Sequence, residues 1–454
     1  MKRIKYAVGV TANTTGKLTS QHGLFYTYLI NSFGEETAKA YLNTNEKAIQ
    51  AVKEIIDTEQ IECNFEWKDA FVYTNNPSET EKIRREVKTL NSLNFPAYYT
   101  ENVDLPFETI GAIGFPKQAQ IHARKYCLGL IGKLPENSVY ENSKVIEIKK
   151  AEDGSYKTIC ENGVGVKSKY VVITTHYPIV NFPGMYFLKM YQDKSYIIAV
   201  DIKEELKNNL FNGMYISAEE PVTSFRTVNI DGKKLLLVGG SGHKTGDTSV
   251  DINASYENLE NYIKTIYPKA EVLYKWSTED CVTLDKIPYI GQFSNFMPNV
   301  FVATGYKKWG MTTSFVAANA IFQEIIGNRC KENEIYRATR MAPIKNNKEV
   351  GNMLKETTNS LILNKLKEPI LSLEELKIGE GGIVSYNGKK IGAYKKSENE
   401  IIAVKPYCKH LGCQLSWNQL EKTWDYPCHG SRYDYMGNII TEPTKKKLEI
   451  IEIK

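Results

Sequence analysis

Two short stretches near the C-terminal end of the chain decide the fold of that region: CKHLGC at residues 408–413 and YPCHGS at residues 426–431. Each stretch carries a histidine, and in the first a cysteine precedes His410 by two positions. Tyr426 precedes His429 by three positions, where a second cysteine would complete a set of two thiolates and two imidazoles. The pattern therefore predicts a two-loop iron–sulfur site in which tyrosine stands in place of one cysteine ligand.

The two blocks resemble the Rieske [2Fe-2S] family, in which Cys-x-His on one loop and Cys-x-x-His on the next hold the cluster. The resemblance implies that Cys408, His410 and His429 are metal ligands and that Tyr426 occupies the fourth position. It also implies that residues 366–454 form a small all-β, Rieske-like domain.

The two further cysteines of the motif are present, although one of the four ligand positions holds a tyrosine. The resemblance implies a disulfide between Cys413 and Cys428 that ties the two loops together. A cysteine thiol has a pKa of about 8.5, whereas a phenol titrates near about 10 and offers a hard oxygen, which still ligates ferric iron in haem proteins. Cys428 could replace Tyr426 as a ligand only if the loop moved by up to about 7 Å and lost the disulfide. Two interpretations stay open: a cluster held by the remaining ligands, or a Rieske-shaped domain without iron whose histidines are ordinary half-exposed side chains.

The composition argues against a nucleic-acid or membrane role. A chain of 454 residues holds about two to three domains. Its 58 basic and 53 acidic residues give a net charge of only +5, and no basic run is interleaved with aromatic residues. The apolar stretch after the basic start is too short for a secretion signal, and no stretch approaches the roughly 20 apolar residues of a membrane helix. Because the cysteines outside the two blocks are scattered as well, we expect a cytoplasmic protein.

The hydrophobic pattern separates a large α/β (α+β) body from the small β domain. We expect the body at residues 1–330, a charged connector at 331–365 and the β domain at 366–454. Helical spacing of apolar residues predicts helices at 35–58 (with Ser32 as a cap), 78–93, 118–131 and 311–326. Strands are predicted at 71–74, 144–148, 170–174, 196–200, 235–238 and 298–304.

Stretches of the body resemble the FAD-dependent amine and amino-acid oxidase family: FVATG at 301–305 with GMT at 310–312, LDKIPYIG at 284–291 and VVITTH at 171–176. A strand that ends in glycine lets the backbone approach a flavin, and a helix that begins nearby directs N–H groups toward the flavin or its phosphates. Together with the C-terminal blocks, these stretches resemble bacterial flavin oxidoreductases with a fused Rieske domain over nearly the whole chain. The resemblance implies the following cofactor-binding residues: Thr14, Thr15, Gly16, Thr175, Gly305, Gly310, Met311 and Thr312.

One unit of that family has no counterpart in the sequence. The family opens with a strand, a G-x-G-x-x-G turn, a helix and a second strand whose acidic residue binds the ribose. Residues 13–23 match the segment that follows this unit, and the glycine-rich run at 239–243 precedes no helix and is predicted to be a turn. We expect weak FAD binding and an unpaired sheet edge in the absence of this first βαβ unit. Three explanations stay open: a start further upstream, a separate chain that supplies the unit, or a decaying gene product.

The candidate catalytic residues are His22, His122 and Arg226. His22 falls near the expected flavin face, and its alternative is a packing role at a helix start. His122 falls at the start of a predicted helix, where the family resemblance implies polar residues that face the active-site cavity. Arg226 is a candidate to bind a substrate carboxylate through two parallel hydrogen bonds, with a surface ion pair as the alternative. His176 and His243 are expected to make structural hydrogen bonds.

The resemblance implies removal of hydride from a C–N or C–OH bond of a small amine, amino-acid-like or hydroxyl substrate. FAD would accept two electrons and a Rieske centre would take them one at a time, for delivery to a partner protein. Trp309 is expected near the flavin. Two alternatives stay open: a scaffold or remnant that binds no cofactor, and an iron–sulfur electron carrier in which only the C-terminal domain works.

Overall fold

The computed structural model describes residues 6–180, 182–202, 211–230, 232–245, 247, 250–340, 371–409, 414–426, 431–441, 444 and 446–453. Within them a mixed α/β body precedes a C-terminal domain of small strand-rich sheets, which confirms the predicted fold class. The helices are α1 (Val10–Asn13), α2 (Tyr26–Phe33), α3 (Glu35–Thr58), α4 (Pro77–Ser92), α5 (Ala123–Gly132), α6 (Ile252–Ile266) and α7 (Gly310–Ile325), with 3-10 turns at Tyr186–Leu188 and Lys331–Tyr336. The strands of the body are β1 (Lys17–Leu18), β2 (Glu66–Thr74), β3 (Tyr98–Thr100), β4 (Gly111–Gln120), β5 (Val145–Lys150), β6 (Tyr156–Cys160), β7 (Gly165–Ser168), β8 (Val171–Ile173), β9 (Met190–Asp201), β10 (Met214–Ser217), β11 (Ser224–Ile230), β12 (Lys233–Lys244), β13 (Glu271–Thr283), β14 (Tyr289–Gln292) and β15 (Val300–Thr304). Those of the C-terminal domain are β16 (Leu371–Ser372), β17 (Gly381–Tyr386), β18 (Lys389–Ser397), β19 (Glu400–Val404), β20 (Ser416–Asn418), β21 (Thr423–Asp425), β22 (Arg432–Asp434), β23 (Ile439–Thr441) and β24 (Ile450–Ile451).

The main sheet of the body has the strand order β1-β4-β2-β10-β11-β12-β9-β13, with β3 also paired to β4. On one of its faces α6 packs through Leu259 and Ile263 against Ile198 and Leu236 in a common apolar core. Side chains alternate between the two faces of a strand, so the neighbouring positions point to the opposite face. That opposite face is the one on which the candidate site lies.

A second sheet holds β14, β15 and β8 in that order, and β15 and β8 run parallel. α7 starts at Gly310, shortly after β15, as the sequence predicts. Within the described part of the chain β8 pairs along one edge only, and its Val172 side chain is 44% exposed. Residues 145–168 form a separate three-stranded meander, β5 to β7.

The long helix α3 is confirmed over the predicted span, because its apolar residues at helical spacing are buried on one side. Ser32 does not cap this helix. The residue before its first turn is Gly34, whose φ of 89° separates α2 from α3. α4 begins with Pro77, and the Asn76 side chain accepts a hydrogen bond from the Ser78 N–H.

Two element predictions are wrong in detail. Residues 118–120 belong to β4 rather than to a helix, and α5 begins only at Ala123. The glycine-rich run 239–243 is not a turn, because β12 continues through it with a bulge between Gly240 and His243. In both places strand pairing with neighbours distant in sequence overrides the local pattern.

The C-terminal domain consists of the sheet β16-β17-β18-β19-β24 and the sheet β20-β21-β22-β23. Its core includes Trp424, Tyr433 and Leu448. Residues 331–340 pack on the body, where Tyr336 is buried beside α3. Most of the expected connector, at 341–365, lies outside the described residues.

Candidate functional site

A cavity of about 340 Å³ lies between the N-terminal segment and the open face of the main sheet. Residues from Val10 to Lys17 contribute one wall, and β9, β11, β12 and β13 contribute the other. The Trp276 indole N–H donates to the Asn13 carbonyl at 2.8 Å, which fixes α1 to β13. The volume suits a small ligand or the ring system of a cofactor.

Two cations lie at one end of the cavity without a carboxylate partner. Lys17 lines the cavity, and Arg226 is 4% exposed on β11, two positions after the lining residue Ser224. Among the described residues no carboxylate oxygen lies within 4.0 Å of either cation, and Arg226 Nε has no hydrogen-bond partner. Burial, with a contribution from Arg226, lowers the pKa of Lys17 to about 7, and burial lowers the pKa of Arg226 to about 10 against the attraction of the more distant Glu66 carboxylate. Buried charge without a partner is costly, so a bound anion would be stabilising here.

The other end of the cavity is acidic. Asp193 lies 2.5 Å from the Lys308 amine, and both residues line the cavity with Asp280. Burial raises the pKa of Asp280 to about 6, against the influence of Lys308 and with further upward contributions from Asp193 and Glu279. The neighbouring Thr278 hydroxyl is buried in the cavity wall and has no hydrogen-bond partner among the residues the structure describes.

His22 reaches the cavity only through Trp309. Its Nε2 lies 2.8 Å from the Thr19 carbonyl and therefore carries the proton, so Nδ1 accepts from the Tyr41 hydroxyl at 2.6 Å. Burial and the charge of Lys307 lower the pKa of His22 to about 3, which keeps the ring neutral. The ring stacks on Trp309 with 4.6 Å between centroids, and Trp309 lines the cavity.

The other two catalytic candidates occupy different environments. His122 is the N-cap of α5, where its Nδ1 accepts from the Lys125 N–H at 3.4 Å. Burial, with the charge of Lys125, lowers its pKa. The alternative of a surface ion pair for Arg226 is wrong, because the side chain is buried beneath Gly16: a Cβ added there would stand 3.7 Å from Arg226 Nη2.

The carboxyl ends of β8 and β15 meet at one edge of the second sheet, which is where ligands bind in open α/β sheets. Thr175 follows β8 and donates to the Tyr177 carbonyl at 2.7 Å. Gly305 follows β15 with a φ of +76°, and a Cβ there would stand 2.3 Å from Thr283 Cγ2. Glycine is therefore required at the end of this strand.

The start of α7 is joined to the N-terminal segment. The Thr312 hydroxyl donates to the Thr19 carbonyl and accepts from the Thr19 N–H, both at 2.9 Å. Beside this link, the Gln21 side-chain amide N–H₂ and the Thr313 hydroxyl are buried without hydrogen-bond partners among the described residues. Unsatisfied polar atoms of this kind fit the polar edge of a flavin ring, which both donates and accepts hydrogen bonds.

The predicted cofactor residues are partly brought together. Thr14 and Thr15 line the cavity, and Gly16 adjoins Lys17. Gly310 opens α7, whereas Met311 packs against the apolar cluster beneath α3.

In the C-terminal domain, Cys408 and Tyr426 lie in one buried cluster, with exposures of 2% and 0%. Cys408 Sγ lies 3.5 Å from the Tyr433 hydroxyl, which donates to the Thr444 hydroxyl at 2.7 Å. A sulfur beside a hydroxyl group suits a cluster ligand, whereas the Tyr426 phenol ring packs among apolar side chains. The predicted ligands His410 and His429, and the predicted disulfide partners Cys413 and Cys428, lie outside the described residues.

The sequence prediction missed Lys17, Asp193, Asp280 and Lys308. Lys17 stands next to a predicted residue, Gly16, but no motif distinguishes it from the other lysines. The two ends of the cavity appear only when strands distant in the sequence are paired.

Comparisons with known proteins agree with this geometry. The family described as FAD dependent oxidoreductase matches residues 4–323, and the Rieske [2Fe-2S] domain matches residues 367–452. The chain is 33% identical over 447 residues to the putative Rieske 2Fe-2S iron-sulfur protein YhfW of Bacillus subtilis (strain 168), covering 98% of this chain and 86% of that protein. Among solved structures, the fold is similar to glycine oxidase from Geobacillus kaustophilus (TM-score 0.60, 16% identity, 75% of this chain and 91% of that one). It is similar as well to L-proline dehydrogenase from P. horikoshii (TM-score 0.60, 14% identity, 73% and 87%).

The helices of the described part of the chain include none that combines the length and the hydropathy needed to cross a membrane.

Proposed function

We propose, from the premise that this chain belongs to the family of FAD-dependent oxidoreductases and carries a C-terminal Rieske [2Fe-2S] domain, that it oxidises a small anionic substrate in its cavity. The substrate class is an amine, an amino-acid-like compound or a hydroxyl compound. The electrons leave through the C-terminal domain to a partner protein in the cytoplasm. The observation that carries the proposal is a pair of cations, the buried Arg226 and the half-buried Lys17, for which the described residues supply no carboxylate oxygen within 4.0 Å.

The residues proposed to hold FAD are those that the family resemblance implies; Thr14 and Thr15 line the cavity, and Gly305 follows β15 at the edge of the second sheet. The full set is Thr14, Thr15, Gly16, Thr175, Gly305, Gly310, Met311 and Thr312. When bound, FAD supplies a two-electron acceptor for the hydride of the substrate.

Recognition of the substrate uses the opposite charges of the two cavity ends. Arg226 and Lys17 bind the anionic group, because a guanidinium and an ammonium are strong donors to carboxylate oxygens. Asp280 faces the amine or hydroxyl end, where it accepts a hydrogen bond and, once ionised, stabilises a cation. His22 acts on the substrate only indirectly, by holding Trp309 in the cavity wall.

For the C-terminal domain we propose Cys408, His410 and His429 as metal ligands with Tyr426 at the fourth position, and a disulfide between Cys413 and Cys428. One observation favours a second candidate for this domain, a Rieske-shaped fold without iron. Tyr426 is fully buried in the core of this domain, and burial disfavours the ionised form that a phenolate ligand requires.

Absorption and electron paramagnetic resonance spectra of anaerobically purified protein test both proposals. A flavin absorption band that bleaches on addition of substrate supports the oxidoreductase, and colourless protein that takes up no added FAD contradicts it. For the cluster, Tyr426→Cys is compared with the parent after reduction. We expect a Rieske-type signal in the variant and little or none in the parent, whereas equal signals in both would show that the fourth ligand does not decide cluster binding.

A further inference from the structure

A buried group of charged side chains joins the C-terminal domain to the body. We call it the interdomain network and define it as Lys194 and Glu279 of the body with Glu421, Asp425 and Arg432 of the C-terminal domain. Their side-chain exposures run from 1% to 19%. Groups this well buried are held by one another rather than by water.

The contacts cross the boundary between the domains in both directions. Arg432 Nε lies 3.2 Å from Glu279 Oε1 and 3.0 Å from Asp425 Oδ1, and its Nη2 contacts Glu421. Lys194 Nζ lies 2.6 Å from Glu421 Oε2 and 4.0 Å from Glu279. Each cation therefore binds carboxylates of both domains.

The body side of the network lies on the reverse of the cavity wall. Ser277 and Glu279 of β13 face the C-terminal domain, and the Ser277 hydroxyl donates to Glu421 at 2.6 Å. Thr278 and Asp280, at the alternating positions of the same strand, line the cavity. A single strand thus separates the cavity from the network.

The other side of the network lies at the base of the second predicted ligand loop. Asp425 and Arg432 are cross-strand partners on β21 and β22, and residues 426–431 connect them. The Tyr426 N–H donates to the Ser431 carbonyl at 2.8 Å, which narrows the base of this loop.

We propose that Lys194 and Glu279 are positioning residues: through Glu421 and Arg432 they hold the paired ends of β21 and β22 in one fixed orientation behind the strand that lines the cavity. The C-terminal domain is then docked permanently rather than swinging between the body and a distant partner. A docked C-terminal domain would receive electrons from the cavity across β13, and this consequence rests on the proposed function. The docking itself needs no cofactor.

Hydrogen–deuterium exchange of the full chain, read by mass spectrometry, tests the docking. Lys194→Met keeps the approximate length of the side chain and removes the only cation of the body that contacts Glu421 among the described residues. We expect exchange at residues 271–283 and 414–425 to rise about tenfold or more, with residues 66–74 unchanged. Lys275→Met, an exposed lysine on β13 paired with Glu260, is the matched control and should exchange like the parent. Glu279→Gln is less informative, because burial raises the pKa of Glu279 and glutamine resembles its protonated form.

Adding Glu421→Gln to Lys194→Met removes the carboxylate that has lost its lysine and should restore part of the protection, since the two residues act as a pair. Unchanged exchange in Lys194→Met would overturn the proposal. If Lys194→Met also raises exchange at residues 66–74, the variant has destabilised the whole body, and Ser277→Ala is measured instead. Faster exchange of Ser277→Ala at residues 414–425 supports the docking, and unchanged exchange there overturns it. If the protein oxidised no substrate, the exchange results would be the same. Failure of the docking proposal can therefore be distinguished from failure of the proposed function.

Discussion

Two arginines are buried on opposite sides of the main sheet, and they differ in their partners. Arg226, behind the cavity, has no carboxylate oxygen within 4.0 Å among the described residues. Arg432, in the interdomain network, contacts Asp425, Glu279 and Glu421. Both side chains are at most 10% exposed.

The difference indicates two uses of buried charge. A cation whose partners are all supplied by the protein stabilises a particular packing, and losing one partner is expensive. A cation left unpaired beside a cavity lowers stability and is retained where a ligand supplies the missing charge. The comparison therefore assigns a structural role to Arg432 and a ligand-binding role to Arg226.

The largest expected effect is the difference in unfolding free energy between variants of the two arginines. Arg432→Met should lower the free energy of unfolding of the C-terminal domain by about 3–5 kcal/mol, because it leaves three carboxylates facing one another. Arg226→Met should cause a much smaller loss, since none of the described residues places a carboxylate oxygen within 4.0 Å of this arginine and Glu66 attracts it only from further away. Chemical denaturation followed by tryptophan fluorescence measures both, and Lys405→Met, which breaks an exposed ion pair with Glu449, is a control expected to cost at most about 1 kcal/mol. A larger loss in Arg226→Met than in Arg432→Met would reverse the assignment.

Asp280 offers a second contrast, through the pH dependence of stability. Its pKa rises from 3.8 to about 6 on folding, so the folded protein binds this proton more tightly than the unfolded chain. The stabilisation is complete below pH 3.8 and is lost as the pH rises through about 6, a difference of about 3 kcal/mol. In Asp280→Asn that part of the decrease between pH 4 and pH 7 should disappear from denaturation curves. A variant whose curves follow the parent at each pH would show that Asp280 is not the group responsible.

The smallest effect concerns Lys17, whose pKa is lowered from 10.5 to about 7. If Lys17 binds an anion as an ammonium ion, the affinity for acetate should fall as the pH rises above about 7, by up to about tenfold per pH unit. Lys17→Arg should keep its affinity at high pH, because a guanidinium stays protonated. Ligand NMR titrations between pH 6 and pH 9 measure this, with Lys125→Arg at an exposed position as the control. Equal pH profiles for the parent and Lys17→Arg would remove Lys17 from the site.

Much of the fold could be predicted from the sequence because local patterns and long-range packing agree there. The apolar positions of α3 repeat at helical spacing and are buried, and the FVATG stretch forms β15 before α7. The prediction of a turn at 239–243 was wrong because β9 and β11 pair with β12 on either side. Their hydrogen bonds extend the strand through glycines that locally favour a turn.

The site could be predicted only in part. Thr14, Thr15 and Gly16 were found because they belong to a contiguous motif. Whether a carboxylate lies beside Arg226 depends on which strands pack around β11, and in the described part of the chain none lies within 4.0 Å. The sequence of β11 alone does not show this. The same holds for the interdomain network, whose members come from four strands and the turn between β20 and β21.

The most direct test of the central claim is a titration of acetate into the parent, Arg226→Met and Arg432→Lys at pH 6.5, followed by ligand NMR. We predict that Arg226→Met binds acetate about 10–100-fold more weakly than the parent, because it loses hydrogen bonds to a charged group, and that Arg432→Lys binds like the parent. Equal affinities in all three proteins would contradict the assignment of the unpaired arginine to ligand binding.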